Sequence, residues 1–129
     1  MISSLISHIS AATLLAGGVG LLFAPDVLLP ALIPGFPPSA AWLGQLLAAA
    51  WLGVGALNWL QRGTVLGGIY GRPNVLANLA LYFVSASSLV RPLTSGAAPP
   101  VLWLVAVPAA ALAMAYGALL LRGPFDSLA

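Results

Sequence analysis

The chain has 129 residues, of which 61% are hydrophobic and 5% charged, and its mean hydropathy is +1.08. Soluble domains carry roughly 25% charged residues, and a chain this short has no core large enough to hide so much apolar surface from water. With no cysteine, disulfides, thiol redox chemistry and thiolate metal sites are excluded. The pI near 9.7 rests on Arg62, Arg72, Arg91 and Arg122 against Asp26 and Asp126. These arginines are scattered and do not form the basic stripe that nucleic acid requires, so nucleic acid is not an expected partner.

Four apolar stretches set the architecture: residues 5–23, 40–60, 74–90 and 101–121. Each is close to the roughly 20 residues that cross about 30 Å of hydrocarbon as a helix. Backbone groups cannot stay unpaired in lipid, so the stretches are expected to be helices. The fold class read from the sequence is an all-α integral membrane bundle of four transmembrane helices, forming one domain.

The first span carries no positive n-region and no clean cleavage site, so it reads as a retained helix and not as a secretory signal. It holds the only histidine, His8, which lacks any nearby acid or second histidine with which to bind a metal. After it come Pro25, Pro30, Pro34, Pro37 and Pro38, interleaved with Val27, Leu28, Leu29, Leu32, Ile33 and Phe36. So many prolines argue against a regular helix, and the expected form is an apolar segment lying flat at the interface or capping the bundle.

The second span carries Gly44, Ala48, Trp51, Gly55, Asn58 and Arg62 along one line, where small residues let a neighbouring helix come close. A glycine-rich turn with Gly67, Gly68 and Gly71 leads to the third span, the shortest of the four. There Asn74, Asn78, Tyr82, Ser85 and Ser88 recur at three- and four-residue spacing and share a face. The short turn makes these two spans antiparallel neighbours. Asn58, Arg62, Arg72, Asn74, Asn78 and Tyr82 are therefore expected to gather, either as a hydrogen-bonded lock or as a site for a lipid phosphate or acidic ligand. In the fourth span Ala109, Ala113 and Gly117 form a ridge of small residues, Pro108 is expected to kink the helix, and Tyr116 needs a partner.

In size and span number the chain resembles the small multidrug exporters, but its first span offers only His8, serines and Thr13 where those carry a membrane-embedded glutamate. It is also faintly similar to the four-helix membrane glutathione and eicosanoid enzymes through Arg72 and Asn78, although Leu81 stands where their acid belongs. Four-helix fluoride channels match in size alone. No family is assigned on these grounds.

No nucleophile–base pair, metal set or coupling carboxylate stands out, and no cofactor is named by composition or spacing. The leading expectation is a non-catalytic accessory or scaffold subunit, packing through Gly44, Ala48, Gly55, Ala109, Ala113 and Gly117. Its partners would be membrane lipids and other membrane chains, or further copies of itself. The alternative is an oligomeric transporter or lipid-binding protein built around the polar stripe of the third span. The expected location is a bacterial plasma membrane with both termini cytoplasmic. That orientation leaves Arg62, Arg72 and Arg122 inside and only Arg91 outside, as the positive-inside rule favours. A reporter enzyme fused after Ala129 is expected to be active only if its fold works in the cytoplasm, and activity restricted to the external side would reverse the topology.

Overall fold

A computed structural model describes residues 2–123, and Asp126 lies outside them. The described residues form five α-helices: α1 (Ile2–Phe23), α2 (Pro25–Leu32), α3 (Ala41–Leu60), α4 (Arg72–Thr94) and α5 (Trp103–Arg122). Short 3-10 turns, Pro38–Ala40 and Pro100–Leu102, lead into α3 and α5. The four helices other than α2 are each long and apolar enough to cross a membrane.

Two departures from the sequence reading have a common cause. The third span is not the shortest, because α4 runs for 23 residues and includes Pro73 and Pro92. Pro73 sits in the first turn, where a backbone N–H has no helical partner to lose, and Pro92 falls in the last turns. Likewise the segment after α1 is partly regular, since α2 starts on Pro25 and tolerates Pro30 within its eight residues. Pro25 opens the helix, where its missing N–H costs nothing, and Pro30 gives up a single bond, the one its position would otherwise make to the Asp26 carbonyl. As expected of a cap, α2 lies on α1 and α3: a Cβ at Gly44 would come within 2.7 Å of Leu29 and 3.1 Å of Pro25. Pro108 falls in the second turn of α5, and the helix continues through it.

The bundle is built from two tight helix pairs, α1 with α3 and α4 with α5. In the first pair, missing side chains bring the backbones together. A Cβ on Gly17 would stand 2.6 Å from the Trp51 ring, on Gly18 2.8 Å from Leu52, and on Gly55 3.0 Å from Leu15. In the second pair, Ala106, Ala109 and Ala113 are buried, and Ala109 and Ala113 share a core with Val75, Tyr82, Ala86, Tyr116 and Leu119. The α3–α4 turn is itself part of this core. Leu66 is fully buried in it, Gly67 has a φ of 89°, and a Cβ on Gly71 would lie 2.5 Å from the Val65 carbonyl oxygen.

Two glycines on the first pair separate packing from helix propensity. Gly18→Ala is expected to lower stability by about 1–3 kcal/mol, because Leu52 and its backbone must give way. Gly53→Ala, at an exposed position with nothing within 4 Å, is expected to be neutral or to stabilise by up to about 1 kcal/mol. Thermal unfolding of both variants in one detergent measures the difference.

Candidate functional site

The polar residues collect at the end of the bundle where α3 finishes, α4 begins and α5 finishes, which is the end that carries Arg62, Arg72 and Arg122. Its centre is a reciprocal amide pair across α3 and α4. Asn58 donates to the Asn78 carbonyl oxygen at 2.8 Å, and Asn78 donates back to Asn58 at 2.7 Å. The Asn78 amide nitrogen also reaches the side-chain and backbone oxygens of Asn74, both at 2.9 Å. All three asparagines are fully buried. Four-residue spacing on α4 places Asn74 and Asn78 on one face, and the antiparallel turn brings Asn58 level with them.

A second polar contact joins the helix pairs one layer deeper. The Tyr116 hydroxyl of α5 donates to Ser10 Oγ of α1 at 2.9 Å, and the Tyr116 ring stacks on Tyr82 with centroids 6.0 Å apart. The Tyr82 hydroxyl lies toward the same Ser10 without a well-formed hydrogen bond. Ser3, Ser7 and Ser10 all face inward from α1. Ser10 and Tyr116 stand 106 positions apart, so no local spacing points to their contact.

Both arginines of the expected cluster stay out of it. Arg62 donates to the Trp59 carbonyl at 2.6 Å and lies 4.4 Å over the Trp59 ring, and that ring meets His8 edge-on at 5.8 Å. Arg72 is exposed. A guanidinium remains charged at any accessible pH, so it is held at the membrane surface while the neutral amides go inside. The amides of Gly68 and Gly71 are bonded to the carbonyls of Val65 and Gly68 within the turn, so they do not converge on an anion. Ser88 turns outward from the stripe, and Ala86 takes the next inward position after Tyr82. His8 is held by its own helix, with Nδ1 donating to the Ser4 carbonyl at 2.7 Å.

Of the packing residues, Gly44, Ala48 and Gly55 are buried on α3, Gly44 under α2 and Gly55 against Leu14 and Leu15 of α1. Ala109 and Ala113 are buried against α4, and Gly117 lies beside Leu79. The ridge on α5 is thus already occupied by a helix of the same chain. Its outer edge, however, forms the floor of a groove of about 860 Å³ that runs between α4 and α5 on the outside of the bundle. Ala110, Ala113 and Gly117 contribute to this floor, and the exposed side chains of Leu76, Phe83, Val90 and Met114 rise around it.

The arrangement at the arginine end joins helices; nothing in it pairs a nucleophile with a base. Asn78→Leu is expected to cost roughly 1–3 kcal/mol, because Asn58 is left buried without its partner. Combining it with Asn58→Leu is expected to recover much of that loss, whereas Ser88→Ala, at an exposed position, is expected to change little. A double-mutant cycle of detergent melting temperatures reads the coupling, and strict additivity would show that the pair does not hold the helices together.

No family model matches the chain, and neither a curated protein nor a solved structure was found to match it.

Proposed function

We propose that this chain is a non-catalytic accessory subunit that seats a transmembrane helix of another membrane protein in the groove between α4 and α5. The observation that carries the reading is the groove's make-up. From Leu76 to Val90 it follows α4 for about 21 Å at 1.5 Å per residue, some two-thirds of the hydrocarbon thickness. Its floor of alanine and glycine lets a helix backbone approach, and its bulky rim supplies dispersion contacts on both flanks. The one hydroxyl in it, Ser87, is bonded to the Phe83 carbonyl of its own helix. A solute finds nothing to bind there, while an apolar helix loses nothing by entering.

The inward direction of the polar stripe supports packing over transport. A path formed by oligomerising around α4 needs Asn74, Asn78 and Tyr82 to face a neighbouring copy, and here all three face α3, α5 and α1. In this reading the protein sits in a bacterial plasma membrane with the arginine end cytoplasmic, and lipid tails occupy the groove when the partner is absent.

Placing a photo-crosslinking phenylalanine analogue at the exposed position Ala80 is expected to give, in native membranes, one discrete product containing a different polypeptide. Ala80→Phe is expected to reduce co-purification of that polypeptide at least tenfold, with the melting temperature of the bundle unchanged. Adducts with lipid alone, or with a second copy of the chain alone, would refute the proposal. Ala113 is unsuitable for this test, since it is buried against α4 and a larger side chain there would disturb the fold itself.

A further inference from the structure

The two helix pairs are locked together at the arginine end, but in the other half of the bundle they stand apart. Two clefts of about 200 and 340 Å³ occupy the space between them, and Trp51, Ser85 and Val105 belong to the walls of both. Together they fall within the roughly 300–1,000 Å³ of small-molecule sites. The smaller cleft reaches in to Tyr82 and the larger runs under α2, where Leu29, Leu32 and Ile33 line it. Leu104 and Val84, both well exposed, line the clefts, which therefore open on the apolar outer surface of the bundle.

The serines and threonine of α4 divide in an informative way. A hydroxyl in a membrane helix ordinarily turns back to a carbonyl about one turn earlier, because hydrocarbon offers no other acceptor. Ser87, on the outer groove, bonds to Phe83, and Thr94 bonds to Val90 at 2.8 Å. Ser85, in the wall of both clefts, makes no such bond among the described residues, and neither does Ser88 in the larger one. Their hydroxyl protons have no acceptor among the described residues. An alkyl chain cannot provide one, but a carbonyl oxygen can.

We propose that the space between the helix pairs binds an elongated apolar molecule bearing a carbonyl, with that oxygen accepting a hydrogen bond from Ser85. The body of the molecule lies against Trp51 and Val105, and its apolar tail extends under α2. The same chemistry is offered by a tailed quinone and by a fatty-acyl ester. The inference is independent of the α4–α5 groove, which lies on another face of α4.

Trp51 supplies the readout. In a protein carrying Trp42→Phe, Trp59→Phe and Trp103→Phe, Trp51 is the one remaining indole. Its fluorescence in nanodiscs is to be titrated with a benzoquinone bearing a ten-carbon tail, with a brominated fatty-acid methyl ester, and with a brominated alkane of equal length. Saturable quenching at one molecule per chain is expected for at least one of the carbonyl probes, and whichever saturates identifies the source. Ser85→Ala is expected to weaken that probe about 2- to 10-fold, as the loss of one hydrogen bond implies, and to leave the alkane unaffected. Val105→Phe, at the junction of the clefts, is expected to abolish saturation; if it also lowers the melting temperature, Ser85→Ala decides alone, since it removes a single oxygen. Linear quenching by all three probes would overturn the proposal and leave the space filled by bulk lipid. So would equal affinity for alkane and carbonyl probes that Ser85→Ala does not change.

Discussion

Hydrocarbon cannot pair with an amide, and that constraint organises this molecule around Asn58 and Asn78. Each side chain carries a donor and an acceptor, and each uses both on the other, at 2.8 and 2.7 Å. The backbones of α3 and α4 otherwise meet along little of their length. The amide pair, with the Tyr116–Ser10 bond beside it, therefore turns two helix hairpins into one bundle. Polar contacts between membrane helices contribute only about 0.6–2 kcal/mol each, but here the penalty for separation exceeds that gain, because three fully buried asparagines would face lipid.

Within each pair of helices the cohesion has another origin. Glycines on α1 and α3 and alanines on α5 let backbones approach closely enough for dispersion to hold them, and no water need be expelled. The two kinds of contact are unevenly placed: small residues run the length of each pair, while polar bridges cross between pairs at one end only. The far half of the bundle is left with room between its helices, and the outer face of α4 and α5 with a channel between theirs. Both spaces are apolar, yet they differ in the hydroxyls they present: Ser87 of the groove is bonded to the Phe83 carbonyl, whereas Ser85 of the clefts makes no such bond among the described residues.

The spans were legible from hydropathy because length and apolar content leave a lipid-embedded segment little choice. Their ends were less so, since a proline in a first turn breaks no bond and one near the end of a helix removes only one, and α2 and both ends of α4 depend on that detail. Spacing alone brought Asn58, Asn74 and Asn78 together, for the period of the helix and a short turn determine which faces meet. Arg62 and Arg72 fall in register with the asparagines by position, but the cost of burying a charge keeps them outside the cluster. Ser10 and Tyr116 are separated by 106 positions, so their contact depends on how α1 and α5 are placed, which no local pattern reports. The α5 ridge of small residues was visible too, but whether α4 or another chain fills it is a property of the assembled bundle.

The buried Leu66 gives the turn between α3 and α4 a mechanical part to play. Two helices held mainly by one side-chain pair are free in principle to slide along their axes, and each residue of slip carries one amide about 1.5 Å past the other, stretching both bonds of the Asn58–Asn78 pair and spoiling their alignment. Leu66 is seated in the core and Gly71 closes against the Val65 carbonyl, so the connecting segment has a fixed span and cannot take up slack. It acts as a gauge block between the hairpins, fixing the relative height at which the amides meet. Lengthening this turn by a residue would leave every helix intact and still put the lock out of step.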